Sequence, residues 1–70
     1  MELTGTAEQQ LVFLNSHWGR MYVFAAPAGL GAPWTARAKF GDQDELQAKS
    51  ATEMLHMVHA HFAAKKFPGQ

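Results

Sequence analysis

Histidines offer the most versatile chemistry in this chain, which has four of them: His17, His56, His59 and His61. On a helix, His56 and His59 share a face, and Glu53 lies one turn earlier. Imidazole and carboxylate groups are residue types that can bind a metal, and this spacing on a helix would permit it. His61 projects to the other side, and only His17 is an obvious further donor. No zincin-type spacing is present. The pattern therefore favours a solvated helix face, and we predict no metal site.

A cluster of carboxylates at Asp42–Glu45, with Glu53 eleven residues beyond Asp42, has a spacing similar to that of a calcium-binding loop. Such a loop needs glycine where this chain has Gln47, and an oxygen ligand where it has Leu46. The cluster is therefore interpreted as a solvated turn.

Other catalytic groupings are sparse. Gly29–Gly31 joins two predicted strands and lacks the Lys-Ser/Thr pair and following helix of a phosphate loop. There is no cysteine nucleophile, and Ser16 and His17 are only sequence neighbours. A domain this small also leaves little room for a cleft. We predict a non-enzymatic protein with no catalytic residue and no cofactor.

A mixed apolar and basic surface is the more informative candidate site. It combines residues on the predicted outer face of a hairpin with basic residues that border it. One interpretation is a contact surface for a protein, a second copy or nucleic acid. The other is an ordinary exposed face, in which lysine and arginine stems cover apolar groups. The candidate binding residues are Arg20, Met21, Val23, Arg37, Lys39 and Lys49.

Composition limits what can position these residues. Seventy residues make one domain, residues 1–70, with 47% apolar and 17% charged residues and zero net charge. Without cysteine, no disulfide can stabilise it, and association is the remaining common device. No signal peptide or membrane-spanning run is visible. We expect a soluble cytoplasmic protein that is prone to self-association.

The first predicted element is a helix over about Ala7–Ser16. Thr6 and Gln9 match a capping box, and Ala7, Leu11 and Leu14 fall on one face. The alternative is a short strand at Leu11–Leu14, and the cap favours the helix.

Two strands should form a hairpin across the loop 27–33. The first covers about 20–26, which is rich in β formers, and the second alternates over 34–40. A register that pairs Tyr22 with Ala38 and Phe24 with Ala36 places large residues opposite small ones on the core face. Residues 45–48 are an optional third strand.

The last predicted element is a helix from a capping box at Ser50–Glu53 to about Lys66, terminated by Pro68 and Gly69. Its predicted buried stripe is flanked by Met54 and His61 and consists of Ala51, Leu55, Val58 and Phe62. The fold class is therefore α+β: a small α-β-β-(β)-α domain, whose antiparallel hairpin sheet packs against the C-terminal helix.

Three segments resemble small uncharacterised actinobacterial proteins. They are Leu14-Asn15-Ser16-His17-Trp18-Gly19-Arg20-Met21-Tyr22-Val23-Phe24, Trp34-Thr35-Ala36-Arg37-Ala38 and Lys49-Ser50-Ala51-Thr52-Glu53-Met54-Leu55. The resemblance implies a bacterial α+β protein and no known activity.

The element order is also similar to that of a double-stranded RNA-binding domain. That family binds RNA through a lysine cluster at the start of the last helix and a basic loop between the first two strands. Here Lys49 is the one lysine near that helix start, and the loop 27–33 carries no charge. The resemblance implies the topology, with protein–protein contact in place of RNA.

These observations predict a small interaction module that binds a protein partner or itself, as a homodimer, through a sheet or helix face. The alternative is a nucleic-acid-binding or regulatory protein that uses the modest basic patch on the sheet. Nucleic acid is not favoured because zero net charge gives no general attraction to phosphate.

Overall fold

The computed structural model describes residues 3–66 and shows the predicted α+β class. The order is α-β-β-β-α, with the third strand present. The elements are α1 (Ala7–Trp18), β1 (Tyr22–Ala25), β2 (Trp34–Ala38), β3 (Glu45–Ala48) and α2 (Ala51–Lys66).

Helix α1 begins at the predicted capping box. The Gln9 amide donates to the Thr6 hydroxyl at 3.2 Å, and the Thr6 amide donates to the Gln9 side chain at 3.0 Å. The segment Leu11–Leu14 is therefore helical, as the cap indicated. The predicted stripe was too wide, because Leu14 is buried while Leu11 is half-buried and Ala7 is exposed.

The three strands form one antiparallel sheet in the order β1-β2-β3. Tyr22 pairs with Ala38 and Phe24 with Ala36, which confirms the predicted register. Between β2 and β3, Gly41 and Gln43 adopt left-handed backbone with φ of 60° and 56°. Glycine adopts that conformation without strain, whereas Gln43 does so at some cost.

Helix α2 starts with a variant of the predicted capping box. The Glu53 amide donates to the Ser50 hydroxyl at 3.1 Å, but the Glu53 carboxylate accepts from the amide of Lys49 at 3.4 Å instead of that of Ser50. The predicted helix end at Pro68 and Gly69 lies outside the described residues.

The buried stripe of α2 is rotated from its predicted position. Met54, which was predicted to flank the stripe, is fully buried with Val58, while Leu55 and Phe62 are only half-buried. In an α-helix, positions 51, 54 and 58 share one face. The centre of the stripe therefore runs through Ala51, Met54 and Val58, while Leu55 and Phe62 pack against the core at its edge.

The core lies between one face of the sheet and the two helices. Helix α1 packs on β1, and α2 packs on β2 and β3. On the covered side, Tyr22, Phe24 and Trp34 are nearly inaccessible, together with the small residues opposite them. No helix within residues 3–66 combines the length and apolarity needed to cross a bilayer.

Candidate functional site

The other face of the sheet is open, and its side chains form two rows across the three strands. Strand register places Val23 beside Arg37 and Arg37 beside Glu45 in the first row. The second row is Ala25, Thr35 and Gln47. We call these six residues the open face.

The open face follows directly from the alternation of the strands. Successive side chains in a strand point to opposite sides, so the aromatic residues at 22, 24 and 34 leave positions 23, 25 and 35 facing away. Val23 is 55% exposed, although it is an apolar strand former. The sheet therefore presents an apolar side chain to solvent at its first strand.

A shallow groove crosses the open face. Its volume is about 280 Å³, and it is lined mainly by carbon atoms of Val23, Ala25, Thr35, Ala36, Arg37 and Glu45. Its only ionisable lining groups are Arg37 and Glu45, so apolar contact and one charge of each sign are what it offers a ligand.

Arg37 and Glu45 form an exposed ion pair in the groove wall. Their closest nitrogen and oxygen atoms, Nη2 and Oε1, are 3.4 Å apart, and their side chains are 64% and 46% exposed. Pairs of this kind stabilise a fold by about 0–1 kcal/mol. Both charges can therefore be reoriented toward another molecule at little cost.

Only part of the predicted binding set lies on the open face. Val23 and Arg37 do, whereas Met21 is half-buried and packs against the core. Met21 precedes the first residue of β1, so the strand pleat does not direct it outward. Lys39 follows the last residue of β2, and its ammonium donates to the Gly19 carbonyl at the end of α1 at 2.9 Å.

The remaining two predicted residues lie outside the sheet. Arg20 is exposed in the turn between α1 and β1, and Lys49 is exposed between β3 and α2. Of the predicted set, the structure thus brings together only Val23 and Arg37, next to the acidic Glu45, and the predicted basic patch is divided among separate elements.

A second group of polar side chains lies at the covered side of the sheet. The Tyr22 hydroxyl lies 2.7 Å from Nδ1 of His61, whose Nε2 lies 3.0 Å from Oδ2 of Asp44. The ammonium of Lys65 is 3.2 Å from the same carboxylate oxygen. This network joins β1, the segment before β3 and α2.

Burial and charge set the protonation of this network. Burial raises the pKa of Tyr22, and the negative charge of Asp44 raises it further. Hydrogen bonds from His61 and Lys65 lower the pKa of Asp44. At neutral pH the phenol is therefore protonated and the carboxylate ionised, which maintains the network.

The Tyr22 network has catalytic residue types but lacks access. Tyr22 is fully buried, and the His61 side chain is 12% exposed. Trp18, Phe40 and Phe62 pack around it. A substrate cannot reach the phenol, so the arrangement ties the helix to the sheet.

Sequence reasoning placed Tyr22 on the core face and His61 beside the buried stripe, but did not join them. The usable signal was the hydroxyl, because a buried tyrosine normally requires a hydrogen-bond partner. His61 was the polar residue at the matching edge of the last helix.

The other histidines do not converge. His56 and His59 line a shallow depression on α2 with Ala60 and Ala63. His17 stacks on Phe13 with ring centroids 4.3 Å apart, and its Nδ1 lies 3.0 Å from the Phe13 carbonyl. Within residues 3–66, no three potential metal ligands come together.

Comparison with known proteins assigns no family to this fold. No family model matches the chain, and no curated protein or solved structure is significantly similar to it. The two resemblances drawn from the sequence therefore remain predictions, and the case for function depends on the two faces of the sheet.

Proposed function

We propose that this chain is a non-enzymatic interaction module that contacts a protein surface through its open face. The observation that carries the proposal is the asymmetry of the sheet. Both helices pack on one side, while the other side exposes Val23 beside a groove lined mainly by carbon.

The chemistry of the open face favours a protein over nucleic acid. Nucleic-acid surfaces are recognised by clustered cations that neutralise phosphates. Here Arg37 is paired with Glu45, and Lys39 bonds to a backbone carbonyl. A face with apolar groups and balanced charge is the kind that matches another protein surface. A cytoplasmic location remains a prediction from the cysteine-free composition.

The test uses the two exposed valines of the chain. Val12 on α1 is 61% exposed and Val23 is 55% exposed. Each is replaced in turn by the photo-crosslinking amino acid benzoylphenylalanine, and the protein is irradiated in the cell that produces it. The proposal predicts a discrete protein adduct from position 23 and none from position 12.

Two results would overturn the proposal. One is equal labelling at both positions, which indicates random collision. The other is an adduct at position 23 that nuclease treatment removes, which favours the nucleic-acid alternative. Far-UV circular dichroism of both variants establishes that they fold, since both substitutions are at exposed sites.

A further inference from the structure

We infer that the occupant of the open face is a second copy of this chain, bound face to face about a twofold axis. This inference rests on the proposed function and specifies its partner. It comes from the order of charges across the strands, which makes the open face complementary to itself.

The first row of the open face is apolar at Val23, positive at Arg37 and negative at Glu45. Adjacent strands are about 4.8 Å apart. The twofold axis lies in the plane between the two stacked sheets, parallel to the strands and above the gap between β2 and β3. Rotation about this axis places β2 of each copy opposite β3 of the other. Each Arg37 then lies opposite Glu45 of the second copy, and the two ion pairs are identical, as an isologous interface requires.

The second row fits the same symmetry. Thr35 and Gln47 are neighbours on β2 and β3, so the axis places each opposite the other residue type of the second copy. Both side chains can donate and accept hydrogen bonds. Val23 and Ala25, on β1, then lie one strand spacing outside the facing strands, beside the edge of the second copy's β3.

Exchange of ion pairs between copies is feasible because the intrachain pair is weak. The 3.4 Å contact between Arg37 and Glu45 is long for a charged hydrogen bond, and the two side chains are 64% and 46% exposed. Complementary charges at an interface chiefly determine which partner and which register are selected. The Arg37 and Glu45 charges therefore determine which surface binds to the open face, and they add little to the stability of the single chain.

The size of the open face limits the affinity. Only β2 and β3 face the second copy, and two strands about 4.8 Å apart with four or five residues at about 3.3 Å each span roughly 10 by 15 Å. The facing area is far below the roughly 800 Å² per partner of a standard interface. The dimer should therefore be weak and reversible.

Sedimentation equilibrium of the full chain, up to millimolar concentration and at low salt, measures this association. Arg37→Glu makes the charged part of the open face wholly negative, and Glu45→Arg makes it wholly positive. Each variant alone should dimerise at least roughly tenfold more weakly than the unaltered chain, because like charges then face each other. Arg20→Glu changes net charge as Arg37→Glu does, but in a turn outside the sheet, and should dimerise normally.

Mixing the two reversed variants gives the decisive result. Arg37→Glu and Glu45→Arg chains should form a heterodimer at least as tight as the unaltered dimer, since every facing pair is again of opposite sign. A mixture of Arg20→Glu with Glu45→Arg has the same net charges but should not form one. This control separates matched faces from general attraction between oppositely charged chains.

Three outcomes would overturn self-association through the open face. They are an unaltered chain that stays monomeric at millimolar concentration, dimerisation insensitive to Arg37→Glu, and a reversed-variant mixture that stays monomeric. If the chain is monomeric but position 23 crosslinks to a different protein, the interaction module stands and the second copy is ruled out.

Discussion

The two faces of the sheet are built from the same strands but differ in burial. Tyr22 is fully buried beneath the helices, while its neighbour Val23 is 55% exposed on the other side. The covered face combines aromatic rings with alanines and one closed polar network. The open face has a loose ion pair and a shallow groove. The difference shows that the pleat of a three-stranded sheet separates the packed core from a face exposed to solvent.

Truncation of adjacent residues on β1 tests this separation most strongly. Tyr22→Ala should cost about 3–5 kcal/mol, as for other large buried aromatics. That is comparable with the whole stability of a domain this size, about 0.05–0.15 kcal/mol per residue. Val23→Ala should change stability by no more than about 0.5 kcal/mol. Urea denaturation followed by tryptophan fluorescence measures both, and similar losses would contradict the separation.

The helices give a matched valine pair. Val58 on α2 is fully buried and Val12 on α1 is 61% exposed. Val58→Ala should cost about 2 kcal/mol, from roughly 0.8 kcal/mol per buried carbon plus the cavity left. Val12→Ala should be neutral or stabilising by up to about 0.5 kcal/mol, because alanine is the better helix former. Thermal unfolding followed by circular dichroism compares them.

The hydrogen bonds of the Tyr22 network should contribute less to the free energy of unfolding than burial of the Tyr22 ring does. Tyr22→Phe retains the ring but leaves Nδ1 of His61 without its partner, which should cost about 1–2 kcal/mol. His61→Ala and the double variant complete a thermodynamic cycle. A coupling energy near zero would show that the 2.7 Å contact does not stabilise the fold.

The pH dependence of stability should come partly from Asp44. The pKa of Asp44 in the folded chain is below its ordinary value of 3.8 because His61 and Lys65 bond to the carboxylate. Its contribution is therefore fully present above that ordinary value and is lost as pH falls through the folded pKa. Asp44→Asn should be less stable than the unaltered chain at pH 6, and the gap should narrow as pH falls below 3.8 and through the lowered folded pKa of Asp44.

A control on the same turn sharpens this comparison. Asp42 is exposed two residues earlier, so Asp42→Asn removes a carboxyl from the same turn without removing a member of the Tyr22 network. Urea midpoints at several pH values compare the three chains. A stability gap for Asp44→Asn that persists at the lowest pH would contradict the role of the charged carboxylate.

Period-two alternation was enough to predict which side of β1 and β2 is buried, because one side of each strand is aromatic or alanine throughout. It failed at Met21, which lies just before β1 and packs against the core. Lys39, just after β2, is exposed, but its ammonium bonds to the Gly19 carbonyl. The predicted buried stripe of α2 was rotated from its true position. Leu55 and Phe62 are as apolar as Met54, so apolarity alone does not show which of two adjacent helix faces is buried.

Contacts between distant parts of the chain were beyond the sequence pattern. Tyr22 and His61 are 39 positions apart. Periodicity predicts which face of a strand or helix is buried, but not which residues pack against that face. The pairing of Arg37 with Glu45 depends on the register between β2 and β3, and the third strand was only an optional element. The self-complementary order of charges therefore became visible only in the folded sheet.

Methyl spectra of the valines test the central claim most directly. The chain has three, Val12, Val23 and Val58, and they report on an exposed helix, the open face and the core. With valine-selective ¹³C labelling, spectra are compared between dilute and millimolar protein. The account predicts concentration-dependent shifts at Val23, with Val12 and Val58 unchanged. Shifts at Val12 with Val23 unmoved, or no shift at any of the three, would contradict association through the open face.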